Sequence, residues 1–337
     1  MAFLSEYGLF LLEALTIAAV VALLVKAMRG ASQGPPKRTG ELRIQRLDRH
    51  FEALGRAITA VPYDRKRARK ARKARIREAK ARDKAQRRRI FVLDFKGDLR
   101  ASAAASLREE ISAILAARRE GDEVLLRLES PGGLITGYGL AASQLTRLKT
   151  AQVPLTVVVD QVAASGGYMM ACVADTLVAA PFAVVGSIGV VTTLPNVNRL
   201  LKRHDVDVEM LTAGEYKRTL TMLGENTAAG RAKVQAQLDE MHGLFKAFIH
   251  EHRPDLDVEM VATGEYWQGV RAKELGLVDE IATSDDWLLA RREEADLLAL
   301  CWQPPNTVSG WVRRFLGATL RDTLDATRQA EVEARIP

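Results

Sequence analysis

The distribution of apolar and polar positions divides the chain into unlike stretches. Residues 8–25 are almost unbroken apolar, with Glu13 and Thr16 the exceptions. That length lies at the lower edge of the roughly 17–25 residues that cross a bilayer as a helix. Residues 43–58 place Ile44, Leu47, Phe51, Leu54 and Ile58 at helical spacing, which predicts an amphipathic helix packed on something. From Ile90 the pattern changes again. Short β-branched runs at 90–95, 123–128, 154–159 and 176–180 read as strands, and 107–117 and 137–148 between them read as helices. The alternation predicts an α/β domain of parallel strands covered by helices. A long, charge-rich helical pattern follows at 228–251.

In such folds ligands gather at the carboxyl ends of strands. Two glycine-rich turns fall there: Ser130-Pro131-Gly132-Gly133 after the run 123–128, and Ala164-Ser165-Gly166-Gly167-Tyr168 after 154–159. Pro131 fixes one backbone angle while Gly132 and Gly133 permit positive φ, so their amides are able to converge on an anion. Ser165 stands where a strand passes through a tight turn into a helix, beside free helix-start amides. This is the placement of an acyl-transfer nucleophile, and for a serine taken alone the commoner reading is an N-cap.

Charge separates the regions further. The chain has 337 residues and a net charge of +7, but residues 64–89 alone hold 15 Lys or Arg against three acids, and the remainder sums to −5. The basic block follows the apolar run closely. It reads as a contact to anionic membrane lipid or as a solvated spacer, and the lack of interleaved aromatic residues argues against nucleic acid. Glu6 is the one charged side chain before the apolar run, whereas Lys26, Arg29, Lys37 and Arg38 come after it. That order predicts an uncleaved anchor rather than a signal peptide, and the positive-inside rule puts the rest of the chain in the cytoplasm. The two cysteines, Cys172 and Cys301, define no disulfide framework.

Nothing obvious activates Ser165 in the manner of a Ser-His-Asp triad. His50, His204, His242, His250 and His252 all lie outside glycine turns, and Ala163 occupies the position that a Gly-x-Ser-x-Gly elbow gives to glycine. A desolvated, neutral lysine is the alternative base.

The ordered set Ser130-Pro131-Gly132-Gly133, Ala164-Ser165-Gly166-Gly167-Tyr168, Gly186-Ser187-Ile188-Gly189-Val190 and Gly214-Glu215-Tyr216-Lys217 carries a resemblance. So do Gly224-Glu225-Asn226-Thr227, and Gly264-Glu265-Tyr266-Trp267 through Gly276-Leu277-Val278-Asp279. Together they resemble the signal peptide peptidase A (protease IV) family of membrane serine peptidases, in its SohB branch. The resemblance implies a ClpP/crotonase-like α/β superhelix, peptide-bond cleavage by a Ser-Lys dyad, and no metal or cofactor. It matches Ser165 to the nucleophile, Lys217 to the general base and Ser187 to the serine that orients the lysine. Gly132 and Gly166 match the oxyanion donors, with Gly133 supporting the turn. It further implies a homo-oligomer whose catalytic groups come from neighbouring subunits, peptide or protein substrates, and a bacterial inner-membrane location with the catalytic domain on the extracytoplasmic side. That side is opposite to the one the charge rule gives.

The expected organisation is an anchor at 1–29, a linker and basic helical segment at 30–89, a peptidase domain at 90–285 and a helical segment at 286–337. In the last, Trp311, Val312, Phe315, Leu316 and Leu320 form an apolar stripe. A crotonase-like acyl-CoA-binding enzyme and a silent membrane scaffold are the competing readings; neither requires Ser165 or Lys217. One internal echo weakens the lysine's context: residues 207–216, DVEMLTAGEY, and 257–266, DVEMVATGEY, agree at seven of ten positions and then diverge into Lys217 and Trp267.

Overall fold

The computed structural model describes residues 40–59, 87–214 and 216–305. The expected anchor, most of the basic block and the stripe around Trp311 lie outside the described residues. Among the described residues no helix is long and apolar enough to cross a membrane.

The compact body, Leu42–Trp302, is built on a seven-stranded sheet. Its strands in chain order are β1 (Glu41–Arg46), β2 (Arg88–Lys96), β3 (Glu123–Glu129), β4 (Leu155–Val159), β6 (Thr176–Ala179), β9 (Glu280–Ile281) and β10 (Ala295–Gln303), and their spatial order is β1-β10-β2-β3-β4-β6-β9. From β10 to β9 every pairing is parallel. A second sheet of three short strands, β5 (Val162–Ala164), β7 (Val184–Gly186) and β8 (Tyr266–Gln268), joins β5 and β7 in parallel and β7 and β8 antiparallel.

The apolar runs behave as strands buried on both faces should, because successive side chains point to opposite sides. From β2, Phe91, Leu93 and Phe95 enter the larger core and Ile90 and Val92 the smaller one. Helices α2 (Ala104–Ala117) and α3 (Ile135–Thr150) cover the larger core with Leu107, Ile111, Ile114, Tyr138, Leu145 and Leu148. On the opposite face, α1 (Leu47–Thr59) and α9 (Ser284–Arg291) bring Leu47, Phe51, Trp287 and Leu288 to Ile90, Leu125 and Val158. The remaining helices are α4 (Gly166–Ala171), α5 (Asn198–Arg203), α6 (Ala228–His252), α7 (Val258–Val261) and α8 (Gly269–Glu274).

Three expectations differ from what is observed. The helical spacing at 43–58 begins as β1 and turns helical only at Leu47, because the chain first pairs with β10. Arg88 and Arg89, counted with the basic block, begin β2 and pair with Ala295 and Asp296. Most consequentially, the segment after 285 is not helical throughout. Residues Ala295–Gln303 form β10, whose Ala295 and Leu297 complete the smaller core beside β2, so the sheet extends past the expected domain end.

Candidate active site

Strand β5 ends at Ala164 and helix α4 starts at Gly166, leaving Ser165 alone between them. Its backbone takes φ 52° and ψ −117°. For a non-glycine residue that conformation costs roughly 1–3 kcal/mol and persists where the surroundings over-determine it. Ser165 itself is half-buried at this reversal. The N-cap reading fails, because the Ser165 side chain makes no capping hydrogen bond. The main chain is held firmly: Ser165 N–H donates to Gly186 O at 2.8 Å and Ser165 O accepts from Met169 N at 3.0 Å.

Ser187 is brought in by register. Ala164 pairs with Gly186 in parallel, so Ser165 and Ser187 leave adjacent strands at the same level, and neighbouring strands run about 4.8 Å apart. Ser187 also has a left-handed backbone, φ 51°, and its amide donates to Glu265 O at 2.6 Å.

The other glycine turn closes over the same point. Gly132 has φ +88°, and a Cβ on it would stand 2.8 Å from Ser165 Cβ and 2.9 Å from Gly166 N, so only glycine allows this approach. Ser130 stitches the turn to β5: its amide donates to Val162 O at 2.8 Å and its carbonyl accepts from Ala164 N at 3.0 Å. The Gly132 amide points inward and donates to Ser130 Oγ at 3.1 Å. The amides of Gly133 and Gly166 have no acceptor among the described residues. Donors of this kind beside a strained serine are able to meet negative charge that develops on a bound carbonyl.

Among the described residues Lys217 shows no hydrogen-bond contact with Ser165 or Ser187. It lies in the stretch between α5 and α6, which has neither helix nor strand, and its side chain is exposed. Its amide donates to Gly214 O at 3.2 Å. The same stretch exposes Val208, Met210, Leu211, Tyr216, Met222 and Leu223, with Leu211 95% accessible. The internal echo has a local basis here, since Gly214 and Gly264 both adopt positive φ, 98° and 86°. Only the second copy continues into a strand, β8, in which Trp267 lies against Gly186.

Two residues that sequence reasoning gave no role sit under the turn. Ser130 Oγ donates to Tyr138 Oη at 2.7 Å, and Tyr138 Oη donates to Asp98 O at 2.9 Å. Both side chains are inaccessible to solvent. Burial pushes the Tyr138 phenol up from its ordinary value despite the opposing Ser130 hydrogen bond, so it stays a donor at neutral pH. Ser130 belonged to the conspicuous Ser-Pro-Gly-Gly turn; Tyr138 carried no signal beyond being an aromatic among small residues. A separate cavity of about 350 Å³ near Asp94, Arg127 and Asp160 contains none of these groups. Its charged side chains already have partners: Arg127 pairs with Asp94 at 2.6 and 2.8 Å, Lys96 with Glu129 at 3.1 Å, and Asp160 accepts from Ser284 Oγ at 2.6 Å.

Comparison with known proteins gives this geometry a lineage. Residues 2–145 match the family described as peptidase family S49 N-terminal, and residues 147–298 match peptidase family S49. A protein named Probable protease SohB from Haemophilus influenzae is 49% identical over 309 residues, 88% of each chain. Another of that name from Buchnera aphidicola is 45% identical over 305 residues, 86% of this chain and all of that one. A putative protease of Methanocaldococcus jannaschii is 33% identical over 168 residues, about half of each chain. With both family regions matched and SohB-named relatives aligned over most of its length, the chain belongs to peptidase family S49, the signal peptide peptidase A family, in its SohB branch.

Proposed function

We propose that this S49 peptidase is a serine endopeptidase with Ser165 as nucleophile and Lys217 as general base, working on a ClpP/crotonase-like superhelical frame. The observation that carries the reading is the strained Ser165 between strand and helix, with the Gly166 amide beside it and the glycine turn against it. Neutral Lys217 takes the proton as Ser165 Oγ attacks the peptide carbonyl. The oxyanion is met by the amides of Gly166 and of the Ser-Pro-Gly-Gly turn. Because the Gly132 amide is already held by Ser130, Gly133 is the stronger donor there, and Gly132 serves by its close approach. The lysine ammonium then protonates the leaving amine, and water, deprotonated by the same lysine, releases the acyl group. Ser187 orients the amine.

A lysine serves as base only when desolvation favours its neutral form. In the single chain Lys217 is exposed, so the reading requires a second copy to cover the apolar stretch around it and complete the site. Substrates are peptides or proteins at a bacterial inner membrane, to which residues 1–29 anchor the chain. A fluorophosphonate probe tests the core of the proposal. Labelling is expected at Ser165, absent in Ser165→Ala and at least a hundredfold slower in Lys217→Ala. Equal labelling of Ser165→Ala would overturn it.

A further inference from the structure

We propose that Ser130 and Tyr138 are positioning residues that hold the oxyanion-binding turn through a one-way chain of hydrogen bonds. The inference rests on the reading of Ser165 as nucleophile. The chain runs from Gly132 N–H to Ser130 Oγ at 3.1 Å, from Ser130 O–H to Tyr138 Oη at 2.7 Å, and from Tyr138 O–H to Asp98 O at 2.9 Å. Each hydroxyl accepts once and donates once, so no proton direction conflicts. Bonds ordered head to tail polarise one another in a dry interior.

The surroundings leave this chain no slack. A Cβ on Gly97 would collide with both hydroxyl oxygens, and one on Gly166 would collide with the Tyr138 ring. One aromatic side chain therefore supports both halves of the oxyanion pocket. Its ring backs Gly166, the residue after the nucleophile, and its hydroxyl, through Ser130, turns the Gly132 amide inward. With that peptide fixed, the next amide along the chain, Gly133, is the one left to face a substrate. The acceptor end is equally well tied: the Asp98 carboxylate takes hydrogen bonds from Ser102 N at 2.8 Å, Ser102 Oγ at 2.6 Å and Arg100 N at 3.1 Å. Leu99 O in the same loop accepts from Leu134 N at 2.7 Å.

Tyr138→Phe keeps the ring behind Gly166 and removes only the hydroxyl, leaving the buried Ser130 proton without its acceptor. Ser130→Ala removes the acceptor of the Gly132 amide itself. In the full-length protein, active sites are counted by saturating fluorophosphonate labelling, and kinetics on an internally quenched peptide are expressed per labelled site. Both variants are expected to lose about ten- to a hundredfold in kcat with KM within about twofold. They should also lose a similar factor in affinity for a peptide boronic acid, which mimics the tetrahedral state. A merely structural role would reduce the number of labelled sites and leave kcat per site and boronate affinity unchanged, and that result overturns the proposal. Should Tyr138→Phe fail to fold, Ser130→Ala decides alone by the same two readouts. Failure of wild-type Ser165 to label would instead strike the nucleophile assignment.

Discussion

Ser165 and its glycine neighbours illustrate how a reactive side chain is presented by removing others. Gly166 shares its space with the Tyr138 ring, and Gly132 shares its space with Ser165 Cβ. Adding one methyl at Gly166 forces either the ring or the turn to move, and overpacking of this kind costs about 1–3 kcal/mol. Gly166→Ala is therefore expected to lower unfolding free energy by that amount and to depress turnover further. Combined with Tyr138→Leu, the stability loss should be smaller than the sum of the two singles, as read by urea denaturation in a double-mutant cycle. At this scale the sequence was informative. The two glycine turns were visible as turns, and parallel register puts Ser187, 22 residues after Ser165, just past the end of the neighbouring strand. Tyr138 was illegible because its importance lies in what it touches across the fold, and nothing adjacent in the chain announces that contact.

Helix α6 and the strands near the site are coupled through one ion pair. Arg253, just after α6, donates to Asp279 at 2.6 and 3.0 Å and to Gly276 O at 3.1 Å, while Asp279 also accepts from Leu177 N at 2.7 Å. Burial pushes the Asp279 carboxyl up, but the Arg253 guanidinium and the Leu177 amide outweigh it and hold it below the usual carboxylate range. A carboxyl with a depressed folded-state value stabilises the fold above its unfolded value and loses that contribution as pH falls through the folded one. Asp279→Asn should accordingly cost about 1–2 kcal/mol at pH 7, discounted for partial exposure. The gap to wild type should close below about pH 4 in urea titrations across pH. The elements themselves were read well where one pattern dominated, as in β2, β3, β4, α2 and α3. β10 was missed because its nine residues alternate poorly and follow the charged run Arg291-Arg292-Glu293-Glu294. Its strand character comes from β2, some two hundred positions earlier, and local pattern carries no trace of such a partner.

For the molecule as a whole, the exposure of Lys217, with no hydrogen bond to Ser165 or Ser187 among the described residues, makes assembly the central question. If each site takes its serine and its lysine from different copies, co-expressed Ser165→Ala and Lys217→Ala chains should recover activity. Random pairing gives about one quarter of wild-type sites. A dyad formed inside one chain gives none, so peptide-cleavage assays on the mixture separate the two arrangements. Sidedness has its own measurement. The basic block predicts that a reporter fused at the C-terminus reads cytoplasmic, whereas the family resemblance implies the opposite face, and paired cytoplasmic and periplasmic reporters decide between them. Strand order, the second sheet and the stretch left open around Lys217 were not legible in the sequence, since each depends on which surfaces meet and periodicity records only that a surface is apolar.

The position of β10 between β1 and β2 also bears on biosynthesis. A ribosome must deliver Gln303 before the gap beside β2 is filled, although Ser165 and Lys217 emerged long before. A nascent chain therefore carries Ser165 and Lys217 on a sheet that still lacks the strand beside β2, and the sheet is completed only when residues 295–303 have been delivered.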